Sequence, residues 1–305
     1  MSNQAKGIFY TLITVLMWGV LAIALKVATK QIDSPTIVWF RFSLAFSALF
    51  AWMAVKTPKE LKILYKPSWL IVLSSLALAW NYMGFMLGIQ YTSPSNAQVA
   101  IQSGPLLLAV FGIIFFREKI SRIQIFGFLI AILGFWIFYR QHIMASAGQE
   151  GQYTKGMLIT FSGAVAWAIY AAFQKRLVVH YPVASLNVFI FGLPVLLYLP
   201  FVNFASLAHL SFGYWALLVF LGANTLISYG CLSLALKYLE AGKVSIIIIL
   251  NPIITFILMG LLSWMQVDWI AGEHFSVLSI TGALIALLGA ILVVRKKKKL
   301  PENIG

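Results

Sequence analysis

Long apolar stretches, separated by short polar ones, extend along the whole chain. Each is about 20 residues long, the length that an α-helix needs to cross the hydrocarbon core of a bilayer. None shows the alternation of polar and apolar residues that is typical of membrane β-strands. The pattern predicts an all-α integral membrane protein with ten transmembrane helices. The predicted helices are 7–28, 36–55, 69–89, 97–116, 123–139, 156–177, 184–204, 215–236, 244–264 and 278–294.

The composition supports a membrane protein and excludes several other classes. The chain is 61% hydrophobic and 10% charged, whereas about 25% of the residues in soluble domains are charged. A single cysteine, Cys231, excludes an intrachain disulfide, and the four histidines lie near predicted loops without metal-ligand spacing. The phosphate-binding pattern GxxxxGK[ST] is missing, which argues against an ATP-driven pump in one chain. We therefore expect no catalytic residue, metal or cofactor.

The distribution of positive charge predicts the orientation. Ten spans place both termini on one side, and most of the 22 Lys and Arg residues then lie on that side, including the basic tail at 295–305. The exceptions are Lys30, Arg140 and Lys155 in opposite loops, and Lys26 and Arg41 within spans. Positive loops remain cytoplasmic, so we expect a multi-pass inner (cytoplasmic) membrane protein with cytoplasmic N- and C-termini. Because the net charge of +14 lies in short loops and this tail, it indicates lipid contact rather than nucleic-acid binding.

The two halves of the chain resemble each other. A displacement of 147 to 155 residues aligns them. The aligned pairs include Gly7/Gly156, Thr11/Thr160, Trp18/Trp167, Ala22/Ala171, Lys26/Lys175, Tyr91/Tyr238, Pro105/Pro252, Gly127/Gly282, Ala131/Ala286 and Gly134/Gly289. We predict two five-helix units, at 1–145 and 146–305. Because five is odd, the second unit enters the membrane from the opposite face. Such inverted repeats are a transporter architecture that permits alternating access.

These residues resemble a known family. The segment "LMWG" in the first helix, the mid-helix proline of the fourth, and "FREKIS" followed by "GFLIAILG" are similar to EamA-type transporters of the drug/metabolite transporter superfamily. The resemblance covers nearly the whole chain. It implies a ten-helix inverted-repeat fold that moves small organic molecules. Members include exporters of amino acids and other metabolites, with relatives that carry sugars, choline or nucleotides.

The fourth predicted helix carries polar residues where lipid is expected. Gln98 and Gln102 share one helical face, followed by Gly104 and Pro105. Lipid cannot satisfy an amide, so this face points into protein or a wet cavity. Asn251 and Pro252 occupy the matching place in helix 9. We predict that Gln98, Gln102 and Asn251 bind substrate, and that Gly104, Pro105 and Pro252 form hinges. The alternative is that the amides only hold neighbouring helices together.

Other polar and aromatic residues within the spans are further candidates for substrate binding. They are Trp18, Trp80, Asn81, Tyr82, Trp167, Tyr170, Asn224 and Tyr229. Packing between helices is the alternative for the tryptophans, and hydrogen bonding between helices is the alternative for the asparagines. Lys26 and Arg41 could form a basic outer mouth that recognises a carboxylate, although long basic side chains also extend towards the membrane surface without binding anything.

Together these features predict a secondary transporter that exports small polar metabolites such as amino acids by alternating access. An uptake carrier or exchanger for a nutrient such as choline or a nucleotide-like compound is the alternative within transport. An integral membrane enzyme would need clustered His, Asp or Glu at an interface, which the sequence lacks. Since no Asp or Glu lies mid-span, a carboxylate proton relay has no evident carrier. Uniport, exchange and coupling through another group all stay open.

Overall fold

A computed structural model describes residues 2–116, 122–145, 150–273 and 276–294. Across these ranges the regular elements are all helices. The α-helices are α1 (Asn3–Ala28), α2 (Ser34–Lys56), α3 (Trp69–Tyr91), α4 (Pro94–Ala100), α5 (Ser103–Phe116), α6 (Arg122–Ala145), α7 (Glu150–Leu177), α8 (Val183–Tyr198), α9 (Phe204–Ala208), α10 (Phe212–Tyr238), α11 (Ala241–Ile248), α12 (Asn251–Trp264) and α13 (Val277–Val294). Short 3-10 helices are η1 (Pro58–Leu64) and η2 (Leu199–Phe201). Residues 117–121 of the "FREKIS" segment and the predicted tail at 295–305 lie outside the described ranges.

Six of the described helical stretches are long and apolar enough to cross a membrane. They are Asn3–Ala28, Ser34–Lys56, Trp69–Tyr91, Gly151–Leu177, Val183–Phe201 and Phe212–Tyr238. Large apolar side chains such as Leu16, Leu158 and Ile257 are exposed on the outside of the helical body. Helices that are apolar on all sides are typical of membrane spans. The fold is therefore that of an integral membrane protein.

The predicted fourth and ninth helices are each broken in two. The breaks lie at Ile101–Gln102, between α4 and α5, and at Ile249–Leu250, between α11 and α12. The first break lies three residues before the predicted hinge at Gly104–Pro105, and the second lies two residues before Asn251–Pro252. Each proline instead falls within the first turn of the helix that follows the break. A first-turn residue needs no hydrogen bond from its backbone nitrogen, so proline is tolerated there.

The helices pack as pairs around these breaks. Helix α1 packs against α10, α3 against α7, α2 against α8, and α6 against α13. The broken helices lie between the pairs, with α12 against α1 and α5 against α7. Helices α6 and α13 approach closely, since Gly134 faces the backbone of Ala286 and Gly289 faces that of Ala131. Glycine permits this separation because a Cβ would overlap the opposing backbone.

Candidate functional site

A cavity lies where the two broken helices meet the paired ones. Its volume is about 50 Å³, enough for a few water molecules, since one needs about 10–15 Å³. The predicted site residues that line it are Trp18, Arg41, Asn81, Tyr82, Gln98, Gln102, Pro105, Trp167, Tyr229 and Asn251. The other lining residues are Leu21, Phe85, Ile101 and Ile248. Residues from both halves of the chain thus line one small space.

The helix breaks place amide groups at this cavity. Gln102 lies between α4 and α5 and is 3% exposed, and Asn251 is the first residue of α12 and 2% exposed. Gln102 Oε1 and Asn251 Oδ1 have no hydrogen-bond partner within the described ranges. A buried polar atom left unpaired is costly. These oxygens can therefore accept hydrogen bonds from a water molecule or a polar solute.

Aromatic rings form one wall of the cavity. The ring centroids of Trp18 and Trp167 lie 6.1 Å apart in an edge-on arrangement, and those of Trp18 and Tyr229 lie 5.2 Å apart. Tyr229 also packs against Tyr82, at 5.4 Å. Aromatic side chains offer a large, rigid apolar surface with geometric preferences. This wall can cover the carbon skeleton of a small molecule.

Arg41 contributes the positive charge of the cavity. It is 2% exposed and lies about 10 Å from the start of α2, at 1.5 Å per residue. Its Nε donates to Thr225 Oγ1 at 3.2 Å, and its guanidinium carbon lies 4.2 Å from the ring centroid of Tyr82. Among the described residues that line the cavity there is no Asp or Glu.

Lys26 and Arg41, the two candidates for a basic outer mouth, lie in different surroundings. The Nζ of Lys26 donates to the backbone oxygen of Ile89 at 3.0 Å, whereas Arg41 faces the central cavity. The length of the Lys side chain allows it to bond the last turn of the neighbouring helix, where carbonyl oxygens lack partners within their own helix. Only Arg41 of the two is therefore placed to contact a molecule in the cavity.

Asn81 is held in place by two hydrogen bonds. Its Nδ2 donates to the backbone oxygen of Gly163 at 3.0 Å, and its Oδ1 accepts from Tyr229 Oη at 3.3 Å. Gly163 itself packs against Gly84, so that α3 and α7 touch through their backbones. Asn81 thereby fixes the tyrosine hydroxyl beside the cavity.

Five other predicted residues lie away from the cavity wall, namely Trp80, Tyr170, Asn224, Gly104 and Pro252. Trp80 is 46% exposed and donates to Ser162 Oγ at 3.1 Å. Successive helical residues are rotated by about 100°, so Trp80 points outward when Asn81 and Tyr82 point inward. Trp80 therefore does not line this cavity. Tyr170 is buried behind Tyr229, at 5.7 Å between ring centroids.

Asn224 and the remaining hinge residues have packing contacts. Asn224 donates from Nδ2 to the backbone oxygen of Met17 at 2.7 Å, which joins α10 to α1. Gly104 lies against the ring of Trp167, where a Cβ would come within 3.0 Å. Pro252 is buried beside Asn251 but does not line the cavity.

Sequence reasoning missed several apolar residues of the wall. Leu21 and Phe85 line the cavity three residues after Trp18 and Tyr82. Residues three apart lie on one helical face, so this spacing was a usable signal. Sequence reasoning also missed Thr225, which lies one helical turn before Tyr229 on α10 and accepts the hydrogen bond from Arg41.

A loop carboxylate lies at the start of one broken helix. Glu273, between α12 and α13, accepts a hydrogen bond at Oε1 from the backbone N–H of Ser95 in α4 at 3.3 Å. Burial raises the pKa of the Glu273 carboxyl above its usual 4.5, while hydrogen bonds from Ser95 and Ser93 and the charge of Lys26 oppose that rise. The loop between α12 and α13 is thus tied to α4.

Comparison with known proteins places these features in a family. The EamA-like transporter family matches the chain twice, at residues 5–140 and 154–295. The chain is 32% identical over 295 residues to "Uncharacterized inner membrane transporter YhbE" of Escherichia coli (strain K12), covering 95% of this chain and 92% of the relative. It is 28% identical to an "Uncharacterized transporter" of Haemophilus influenzae, with 97% of each chain covered.

More distant matches extend the comparison. A "Probable amino-acid metabolite efflux pump" of Salmonella typhimurium is 26% identical over 202 residues, which cover 64% of this chain and 62% of that relative. A protein of known crystal structure is similar in fold, with a TM-score of 0.67 over 94% of this chain and 96% of its own, at 17% identity.

Proposed function

The chain belongs to the EamA-like transporter family, and on that premise we propose that it is a secondary transporter that exports amino acids or related polar metabolites. The proposal rests on the central cavity where both helix breaks meet, with the amides of Gln102 and Asn251 at its wall. Transporter sites typically form at such discontinuous helices, near the interface between two repeats.

We propose that ten spans form two inverted units, 1–145 and 146–305, with both termini in the cytoplasm. Equivalent contacts support this arrangement. Thr11 Oγ1 donates to the oxygen of Gly7 at 2.7 Å, and Thr160 Oγ1 to that of Gly156 at 2.8 Å. The close approaches of α6 and α13 are likewise mutual, Gly134 to Ala286 and Gly289 to Ala131. The charge bias of the loops supports the orientation.

Transport then proceeds by movement of one unit against the other. A cavity of about 50 Å³ holds only a few waters, so binding of a metabolite requires the broken helices to move. Pro105 and Pro252, each in the first turn after a break, are the hinges of this proposal. In this proposal the motion also involves two equivalent lysines at helix ends. Lys26 Nζ donates to the backbone oxygen of Ile89, and Lys175 Nζ donates to that of Leu236.

The name of the Salmonella relative supports export of amino-acid metabolites as the direction and substrate. Untargeted metabolite profiling of medium and cell extract tests this proposal. Cells expressing the full chain are compared with cells expressing Gln102→Leu, which removes the amide from the cavity. Gln152→Leu is the matched control, because Gln152 is an exposed residue of α7.

We expect an amino acid or related metabolite to accumulate in the medium with the unchanged chain and with Gln152→Leu, but not with Gln102→Leu. Accumulation inside the cells would contradict export and indicate uptake, for example of choline or a nucleotide-like nutrient. If neither pool changed while all three proteins reached the membrane in equal amounts, the proposed transport would be refuted.

A further inference from the structure

We propose that Arg41 binds the carboxylate of the transported molecule. The cavity then selects small carboxylates that also carry a hydrogen-bond donor, as an amino acid does. This inference rests on the proposed transport function and adds to it the chemical group that the carrier recognises.

The burial of Arg41 is the first argument. Its side chain is 2% exposed, and an arginine stays charged even when buried. Removing such a charge from water is costly unless an opposite charge or several hydrogen bonds compensate it. Its partners include the hydroxyl of Thr225 and the ring of Tyr82, which are both neutral.

These neutral partners compensate the charge only in part. A cation–π contact is weaker than a desolvated ion pair, and the bond from Nε to Thr225 occupies one of five guanidinium donors. Among the described residues that line the cavity, Arg41 is the sole charged one. A negatively charged group of the substrate therefore neutralises the positive charge of Arg41.

The form of the charge favours a carboxylate. A guanidinium is a planar fork that matches two carboxylate oxygens. A single guanidinium balances one negative charge, whereas a phosphate carries nearly two at neutral pH. A carboxylate thus fits the one cation that the described wall provides.

The unpaired amides supply the second half of the recognition. Gln102 Oε1 and Asn251 Oδ1 are buried acceptors without a donor in the part of the chain that is described. A substrate ammonium or hydroxyl can donate to them, while its carboxylate binds Arg41. Trp18 and Trp167 then cover the carbon skeleton. An amino acid with an apolar side chain has this combination of groups.

The experiment compares Arg41→Gln, Arg41→Lys and the matched control Arg176→Gln in the same metabolite profiling. Arg176 is an exposed residue in the last turn of α7. Each exported compound is then assayed with the purified full chain in liposomes. Membrane abundance and monodisperse elution establish that each variant folds.

We expect every compound that the unchanged chain moves to carry a carboxylate. Arg41→Gln abolishes transport. Arg41→Lys keeps the positive charge but loses the planar guanidinium that binds two carboxylate oxygens. It therefore raises KM roughly ten- to a hundredfold, which corresponds to the loss of one charge-assisted hydrogen bond. Arg176→Gln behaves like the unchanged chain.

Two results would overturn the inference while leaving transport intact. One is export of compounds that lack an acidic group, which needs no variant and so does not depend on Arg41→Gln folding. The other is unchanged carboxylate transport by Arg41→Gln. If the unchanged chain moved nothing, the proposed function itself would fail, and this inference with it.

Discussion

The contact between α6 and α13 allows a quantitative test of the proposed duplication. A methyl group at Gly134 would overlap the backbone nitrogen of Ala286 and lie 2.8 Å from the oxygen of Gly282. A methyl at Gly289 would overlap the backbone nitrogen of Ala131 in the same way. Ordinary contacts are 3.4–4 Å, and a backbone atom cannot rotate away as a side chain can. The helices must therefore move apart.

The expected cost follows from two opposing effects. Overpacking a close contact costs about 1–3 kcal/mol, and the obstruction by backbone favours the upper half of that range. Replacing glycine by alanine inside a helix returns about 1 kcal/mol. We therefore expect Gly134→Ala and Gly289→Ala to lose about 1–2 kcal/mol each. The two losses should be similar, because the two contacts are equivalent.

Gly230→Ala and Gly260→Ala are the matched controls. Both glycines lie inside helices, and an added Cβ would meet nothing within 4 Å. These variants gain about 1 kcal/mol in helix propensity and introduce no clash. The difference in stability between these variants is measured by heating the purified full chain in detergent and monitoring the loss of the monodisperse elution peak. A loss of 1 kcal/mol lowers Tm by about 2–4 °C in domains of 150–250 residues.

Melting of Gly134→Ala and Gly289→Ala at or above the temperatures of the two controls would contradict the predicted clash between α6 and α13. Strongly unequal losses at Gly134 and Gly289 would refute the equivalence of the two contacts. In that case the proposal of two inverted units would lose this support.

Two further predictions concern hydrogen bonds and charge. Asn81→Ala should lower stability by about 1–3 kcal/mol, because it leaves the buried hydroxyl of Tyr229 without its acceptor; an unchanged Tm would contradict the hydrogen bond. Burial raises the pKa of Glu273 above 4.5, so its contribution to stability is full below about pH 4.5 and is lost as pH rises through the raised value. Between pH 4 and 7 the unchanged chain should therefore lose more Tm than Glu273→Gln, and parallel profiles would show that Glu273 does not titrate in this way.

The hydropathy pattern located the helices, but not which of their sides face inward. Each predicted span overlaps a described helix, and the polar residues of the fourth and ninth mark the two breaks. The outward position of Trp80 was not evident from the sequence, because it lies in a helix that is apolar on nearly all sides. Lipid is as apolar as the packed interior, so apolar periodicity does not distinguish the two sides of a membrane helix as it does in water.

The membrane class, the family resemblance and the polar residues that lipid cannot satisfy were readable from the chain alone, because span length, charge and hydrogen-bonding capacity are local properties. The folded chain was needed to learn that Arg41 faces the cavity while Lys26 binds a neighbouring helix end. Both are cations within a predicted span, and their surroundings come from residues far away in the chain. Arg41 meets Thr225 across 184 positions, and Lys26 meets Ile89 across 63. The environment of a charge depends on which helices pack beside it, and that packing is set by the whole fold.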